Sequence, residues 1–148
     1  MTVAFLTTGD EIIHGDTLNT NSQQLANILC SEGISLGLHL TCSDKEEDLL
    51  QSMDFLTKDH EILIITGGLG PTSDDRTRYA LSKHVQEPLE EHREAIEHIK
   101  ARLNSVDVRY TENNAQQALF PQKATLLPNP NGTAMGCILK TKTHTYIL

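Results

Sequence analysis

The sequence predicts an α/β fold, a three-layer α/β/α sandwich with a mostly parallel central sheet and a C-terminal hairpin. Three observations support this prediction. Short apolar runs occur at residues 3–7, 34–40 and 62–66, and the last is β-branched without alternation, as in strands buried on both faces. Segments with helical spacing of apolar residues separate the runs. Polar or glycine-rich turns follow the strand ends, which in a parallel sheet lie at one edge.

The first helices are predicted from caps and spacing. The run 19–22 is rich in capping residues, and the four apolar residues within 25–29 that follow it fall on one helical face. Asp44 is predicted to cap a second helix. A third helical pattern starts at Asp75, directly after a glycine-rich loop.

The second half of the chain predicts two more helices and three more strands. The helices are expected at 89–104 and 112–118, and a short strand at 124–127. Segments 135–140 and 144–148 then form the C-terminal hairpin. We therefore expect one domain over residues 1–148, since a chain of this length is large enough to bury a normal core.

Composition narrows the class of protein. The formal net charge of −8 and an aromatic content of 4% argue against nucleic acid or an anionic membrane as partner. No apolar run reaches the roughly 20 residues that a membrane-spanning helix needs. The three cysteines, Cys30, Cys42 and Cys137, form no CxxC pair, which indicates a reducing cytoplasm. Cys30 and Cys137 sit in apolar patterns and are predicted to be core residues.

The glycine loop is the strongest candidate for a binding site. Gly67, Gly68, Gly70 and Pro71 follow the strand at 62–66 and precede a helix. Such a loop lets backbone N–H groups approach a ligand and is typical of anion-binding sites. It lacks the Walker sequence and the G-x-G-x-x-G spacing, so a tight structural turn is a competing interpretation.

The polar residues around this loop favour a binding site over a purely structural turn. Thr66 and Thr72 flank it, and Asp74 and Asp75 follow. The two aspartates have a structural interpretation as charges favoured by the helix dipole. The alternative is that they hold a divalent metal such as Mg²⁺ while a phosphate sits on the loop amides.

Further carboxylates are predicted at the same edge of the sheet. Asp10 and Glu11 follow the first strand, and Asp44 follows the second, where it is either a cap or a second metal ligand. Several carboxylates beside an anion-binding loop repel one another and the ligand unless a cation lies between them. The residues thus predict a phosphorylated ligand bound through a divalent cation.

Four segments resemble one family, the molybdopterin-binding (MoaB/Mog) domain, in the version found at the N-terminus of competence/damage-inducible (CinA) proteins. They are GDEIIHGDTLNTNSQQLA at 9–26, TGGLGPTSDDRT at 66–77, ENNAQQALFP at 112–121 and LPNPNGTAMG at 127–136. The resemblance implies the MogA-like α/β/α fold, a pocket at the strand C-termini, and a homo-oligomer, trimer or dimer.

The resemblance also implies roles for individual residues. Asp75 matches the aspartate that Mog-type enzymes need, and Asp44 matches a second functional aspartate. Asp74 fits the Asp-Asp pair of CinA-type sequences. Six residues match the phosphate- and pterin-contacting loop: Thr66, Gly67, Gly68, Gly70, Pro71 and Thr72.

Three functions follow from the resemblance. The first is a CinA-type domain that binds or hydrolyses an ADP-ribose-like nucleotide with a divalent metal. The second is a molybdopterin-binding protein of molybdenum cofactor synthesis. The third is a non-catalytic assembly domain, because the Pro-Gly-Pro loop that closes the family's pocket would begin where the sequence ends, at Leu148.

Overall fold

The computed structural model describes residues 2–148 and forms an α/β domain. Its parallel strands are β1 (Val3–Thr8), β2 (Leu36–Cys42), β3 (Ile62–Thr66) and β8 (Thr145–Ile147). Four shorter or antiparallel strands are β4 (Leu89–Glu91), β5 (Leu119–Pro121), β6 (Thr125–Leu127) and β7 (Gly136–Lys140). The helices are α1 (Asp10–Ile13), α2 (Thr20–Ser31), α3 (Glu46–Leu56), α4 (Thr77–Val85), α5 (Arg93–Ser105) and α6 (Glu112–Ala115), with a 3₁₀ turn at Gln116–Ala118.

The central sheet has six strands in the order β2-β1-β3-β8-β7-β6. The first four are parallel, and β7 and β6 join them antiparallel. The predicted α/β fold with a mostly parallel sheet and a C-terminal hairpin is therefore confirmed. Because β1, β2 and β3 are parallel neighbours, the three polar segments that follow them lie at one edge of the sheet.

One face of the sheet forms the main core. Leu6, Leu63, Leu139 and Tyr146 point to this face and are at most 3% exposed. Helices α3, α4 and α5 cover it, and their apolar residues belong to the same cluster. Burial of this continuous apolar layer is the main stabilising term of the domain.

The second face of the sheet is covered less completely. Helix α2 packs over β1 and β2, where Val3 and Phe5 are each 2% exposed. Farther along the sheet, Ile62 and Ile64 of β3 are only half-buried. The prediction that β3 is buried on both faces therefore holds for one face only.

The segment 89–104 differs from the predicted continuous helix. Residues Leu89–Glu91 form β4, which pairs antiparallel with β5, and α5 starts only at Arg93. The helix-favouring residues of this segment are overridden by tertiary pairing with a strand 30 residues later in the chain. The resulting two-stranded sheet carries Phe120 into the core, where it is fully buried.

Three local predictions were also wrong. Helix α4 begins at Thr77 rather than Asp75, because the Asp75 amide bonds the Thr72 carbonyl oxygen in a preceding turn. Asp44 does not cap α3, whose N-cap residue is Lys45. Cys30 is exposed rather than buried, whereas Cys137 lies in the core as predicted.

Across residues 2–148, none of the helices combines the length and the apolar character that crossing a membrane would require.

Candidate ligand-binding site

The glycine loop turns sharply because two of its residues have positive φ angles, which glycine adopts readily and other residues rarely do. Gly67 has φ 99° and Gly68 has φ 62°. A Cβ atom on Gly67 would lie 2.2 Å from the carbonyl oxygen of Thr8, and one on Gly68 would lie 2.3 Å from Thr77 Oγ1. The loop is thus pressed against the end of β1 and the start of α4, and side chains there are excluded sterically.

Side chains from α4 hold the carbonyl groups of this loop. Thr77 Oγ1 donates to the Gly67 oxygen at 2.8 Å. Arg78, which is fully buried, donates to the carbonyl oxygens of Leu69 and Gly70 at 2.7 and 3.1 Å. Burial lowers the pKa of Arg78, and the negative charge of Asp75 opposes that shift.

A side chain distant in sequence holds the second half of the loop. The amide nitrogen of Gln116 donates to the Pro71 oxygen and, at 2.9 Å, to the Thr72 oxygen. Among residues 2–148, the N–H groups of Gly68, Leu69 and Gly70 have no hydrogen-bond acceptor. Carbonyl groups engaged by the protein and amide groups without acceptors are what an anion-binding turn requires.

Asp75 stabilises the C-terminal part of the loop through hydrogen bonds. Its Oδ2 accepts hydrogen bonds from the Thr72 amide at 2.8 Å and from Thr72 Oγ1 at 2.6 Å. The carboxylate also packs on Gly70, where an added Cβ would lie 2.5 Å from Oδ2. The other oxygen, Oδ1, has no bond to a described residue. Asp74 next to it is exposed.

Asp44 and Asp10 join the ends of β1 and β2. Thr8 Oγ1 donates to Asp44 Oδ1 at 2.7 Å, and the Asp10 amide donates to Asp44 Oδ2 at 3.1 Å. The Asp44 amide in turn donates to Asp10 Oδ1 at 3.3 Å. The two carboxylates therefore lie together, each accepting from the backbone of the other.

A cavity of about 180 Å³ opens beside the glycine loop. Its lining includes Thr66, Gly67 and Glu11, so the structure brings these three predicted residues together. Within residues 2–148 the Glu11 carboxylate has no hydrogen-bond partner. The remaining lining residues were not predicted: Thr7, Thr8, Ile12, Thr17, Leu18, Asn19, Thr20 and Asn21. Asp44, Asp74 and Asp75 do not line this cavity.

A hydrogen-bonded cluster surrounds Thr7, one of the residues that line this cavity. Thr7 Oγ1 lies 3.0 Å from Ser22 Oγ, 3.0 Å from His39 Nε2 and 3.3 Å from Thr66 Oγ1. The Asn19 amide donates to the same Thr7 oxygen at 3.0 Å. Burial lowers the pKa of His39, which favours its neutral form. The one signal in the sequence was the cap at Asn19, whose Oδ1 accepts from the Ser22 amide.

The predicted carboxylates form two pairs rather than one centre. Asp10 and Asp44 lie together in space, whereas Asp74 and Asp75 are consecutive residues of another segment. Within residues 2–148, no three side chains of histidine, cysteine, aspartate or glutamate converge into a group able to hold a metal. A cation at this edge would therefore take at most two protein carboxylates and complete its shell with other oxygen ligands.

Comparison with known proteins assigns the chain to a family. Residues 4–148 match the family model described as "Probable molybdopterin binding domain". The chain is 38% identical over 148 residues to a "Putative competence-damage inducible protein" of Alkaliphilus metalliredigens, covering 100% of this chain and 36% of that protein. It is 39% identical over 140 residues to one of the same name from Clostridioides difficile, covering 95% of this chain and 34% of that protein. The chain thus spans about a third of the length of these curated relatives.

Solved structures agree with this assignment. The protein CinA of Thermoplasma acidophilum, whose function is described as unknown, has a TM-score of 0.89 at 27% identity, covering 99% of this chain and 85% of that one. The molybdopterin biosynthesis enzyme MoaB of Thermus thermophilus shares the fold, with a TM-score of 0.59 at 13% identity over 99% of this chain and 78% of that one. The chain therefore belongs to the MoCF_biosynth family of probable molybdopterin-binding domains.

Proposed function

We propose that this domain binds a phosphorylated small molecule, a nucleotide or a pterin, at the edge formed by the glycine loop and the adjacent cavity. The observation that carries the proposal is the set of unpaired N–H groups of Gly68, Leu69 and Gly70, next to a cavity lined by hydroxyl and amide groups. A phosphate would accept from these amides, and the rest of the ligand would lie against the threonine and asparagine side chains.

A divalent cation fits this arrangement as a bridge. Asp75 keeps Oδ1 free while Oδ2 braces Thr72, and the exposed Asp74 adjoins it. Two carboxylate ligands, phosphate oxygens and water make up the shell that Mg²⁺ usually takes. When bound, the cation would neutralise phosphate charge beside an acidic domain of net charge −8.

Within this proposal, the preferred ligand is an ADP-ribose-like nucleotide, and the reaction is hydrolysis of its pyrophosphate bond. This alternative rests on what the resemblance of the four sequence segments to CinA-type domains implies. Water would add to one phosphorus atom while the bridging oxygen leaves with the other phosphate. Asp75 and Asp44 are the residues proposed to support this step. The free thiols agree with a reducing compartment, and we propose the cytoplasm.

A molybdopterin ligand is the second candidate, favoured by the description of the family. A third candidate, an assembly domain without a ligand, is the outcome if neither compound binds. Isothermal titration calorimetry separates the three, with ADP-ribose and molybdopterin each titrated with and without Mg²⁺. Tighter ADP-ribose binding in Mg²⁺ supports the first candidate, and equal affinity with and without Mg²⁺ argues against the metal bridge.

Asp75→Asn tests the catalytic part. Asparagine keeps an oxygen that can accept from the Thr72 amide, so the loop is retained while the negative charge is lost. We expect Mg²⁺-dependent turnover of ADP-ribose to fall by at least about 100-fold, the range for loss of a catalytic group. Asp59→Asn is the matched control, since Asp59 is an exposed residue before the start of β3. Unchanged turnover in Asp75→Asn would exclude the assigned role.

A further inference from the structure

A cavity lined by lysines lies at the end of the sheet remote from the glycine loop. It has a volume of about 490 Å³, and its lining includes Lys123, Lys140 and Lys142, so we name it the lysine cavity. Lys140 is in register with Thr145, which pairs with Ile62, the first residue of β3. The glycine loop follows the last residue of that strand, so the five residues of β3, about 17 Å, separate the two sites.

The charge of the lysine cavity is opposite to that of the domain. Within residues 2–148 its lining contains one acid, Glu87, so the lining has a formal charge of +2 in a chain of net charge −8. Lys123 Nζ pairs with Glu87 Oε2 at 2.9 Å. Lys140 and Lys142 are exposed and form no salt bridge with any residue that the structure describes. Like charges around one concave space repel each other and attract a counter-ion into it.

The turn between β7 and β8 fixes the backbone of the two unpaired lysines. Thr141 lies between them and also lines the cavity. Its Oγ1 accepts from the His144 amide at 3.0 Å and donates to the His144 carbonyl oxygen at 3.1 Å, and its own amide donates to that oxygen at 2.9 Å. Because these bonds close the turn, Lys140 and Lys142 reach one cavity with little further ordering of the chain, which lowers the cost of binding a shared ligand.

Apolar side chains line the rest of the lysine cavity. Leu139 is 2% exposed and belongs to the core, and Val85, the last residue of α4, packs against the core. The volume lies within the roughly 300–1,000 Å³ of small-molecule pockets. Ammonium groups beside an apolar wall suit a ligand with a compact anionic group and a carbon body, because each part then meets its own kind of surface.

The surroundings of the cavity argue against a large polyanion. Glu61 lies with Lys142 along a neighbouring cavity, and Glu90 and Glu91 on β4 include exposed carboxylates. A nucleic acid or an acidic protein needs a broad basic surface, whereas the positive charge here is confined to one cavity of an acidic domain. A small anion enters the cavity without meeting the acidic residues around it.

We propose that the lysine cavity binds the phosphate group of a small phosphate ester through Lys140 and Lys142. A phosphate monoester carries a charge of about −1.5 to −2 at neutral pH, which matches the formal charge of +2 on the lining. The carbon body of the ester lies against Val85 and Leu139, and Lys123 stays paired with Glu87. This site is separate from the one proposed at the glycine loop and does not depend on it.

An NMR titration locates the phosphate on the chain as it exists. Phenyl phosphate is added at constant pH and without Mg²⁺ to ¹⁵N-labelled protein, and the backbone amide shifts are followed. We expect saturable changes at residues 140–143 and at Lys123, with the amides of residues 68–70 unchanged. Changes confined to 68–70 would overturn the lysine cavity and support the glycine loop instead, and the absence of any saturable change would also overturn it.

Lysine variants test the assigned contacts. Lys140→Gln and Lys142→Gln should each raise the dissociation constant of phenyl phosphate about tenfold or more, as expected for loss of a hydrogen bond to a charged group. Both residues are exposed, so the variants should fold, which circular dichroism verifies. Lys58→Gln is the matched control, because it removes the same charge from an exposed lysine outside the cavity lining. An equal loss of affinity in Lys58→Gln would show that only the net charge matters and would overturn the site.

Two other probes separate the sources of the anion. Inorganic phosphate should bind at the same residues but more weakly than phenyl phosphate, because it lacks the carbon body that contacts the apolar wall. Equal affinity for the two would overturn the ester and leave free phosphate as the ligand. Hexaglutamate should not compete with phenyl phosphate, and tighter binding of this peptide would overturn the proposal in favour of an acidic protein segment.

Discussion

The guanidinium of Arg78 donates a 2.7 Å hydrogen bond to the carbonyl oxygen of Leu69, from a fully buried position beneath the glycine loop. A second bond reaches Gly70, and the ring of Phe120 lies 5.8 Å from the guanidinium carbon. Arg78 thus supports the loop from inside the protein, because its guanidinium donates to backbone carbonyl groups rather than to a ligand. The carbonyl groups of Leu69 and Gly70 are thus occupied by Arg78, while the amides of Gly68, Leu69 and Gly70 have no acceptor among residues 2–148.

Arg78→Met should disorder the glycine loop. Methionine fills part of the volume but leaves two loop carbonyls without donors, at an expected cost of about 2–4 kcal/mol in the free energy of unfolding. Urea denaturation measures the loss, and calorimetry should show that ADP-ribose binding falls with it. Arg93→Met, at a side chain 92% exposed on α5, should change the stability by less than about 0.5 kcal/mol. Equal losses in both variants would contradict a supporting role for Arg78.

Gly67→Ala should destabilise the domain more than Gly15→Ala. Both residues have positive φ, but only at Gly67 would the new methyl group clash, at 2.2 Å from the Thr8 carbonyl oxygen. At Gly15 nothing lies within 4 Å, so the cost there is the backbone term of about 1 kcal/mol. We expect Gly67→Ala to cost at least about 2 kcal/mol more. Thermal unfolding of the two variants measures the difference, and similar midpoints would mean that the contact with Thr8 is not tight.

Glu46 should make the stability depend on acid pH. Its hydrogen bonds from Lys83 and Arg76 lower the pKa of the carboxyl group. Because the folded-state pKa is below the unfolded-state value of about 4.3, the stabilisation is fully present above that value and is lost as the pH falls through the folded-state pKa.

The measurement is a series of urea midpoints from neutral to acid pH for the parent and Glu46→Gln. The variant should lose up to about 1 kcal/mol at neutral pH, as expected for a partly exposed ion pair, and should approach the parent in acid. Glu97→Gln is the control, since its partner Arg93 is almost fully exposed. If the difference in urea midpoint between the parent and Glu46→Gln stayed constant across the pH range, the ionised Glu46 carboxylate would not be the source of the pH dependence.

Cys30 should be the one thiol that reacts rapidly in the folded state. Cys42 and Cys137 are buried, and burial raises the pKa of both, that of Cys137 to about 12. Because the thiolate is the reactive form, both should be protected until the protein unfolds. Mass spectrometry after brief alkylation should show one adduct, and Cys30→Ser should show none. A second fast adduct would indicate that one of the core cysteines becomes accessible in the native state.

The sequence predicted the strands of the parallel sheet well because their signal is local. The run 62–66 contains β-branched residues and ends in a glycine loop, and β3 has those bounds. The prediction of a continuous helix over 89–104 failed because its outcome depends on a contact that is distant in sequence. The first three residues of this segment favour a helix by propensity, but they pair with β5, and no local pattern reports a partner 30 residues away.

The site was predicted only in part, because some of its residues are marked by local sequence patterns and others are brought together by packing. The glycine loop and the acidic residues near it stand together in the sequence, and the structure places them at the expected edge. Asn19 and Thr7 were missed because the contact that joins them depends on how α2 packs over β1. Arg78 was missed because a buried arginine in a helix has no distinguishing pattern. The roles of Asp44, Asp74 and Asp75 stay predictions.

Gln116 reaches back across 45 positions of the chain to hold Pro71. The shape of the loop therefore depends on the docking of the segment that contains α6 and the 3₁₀ turn. A compound that binds the glycine loop in this shape would also stabilise the docked position of the α6 segment. Ligand binding and docking of that segment are therefore thermodynamically coupled.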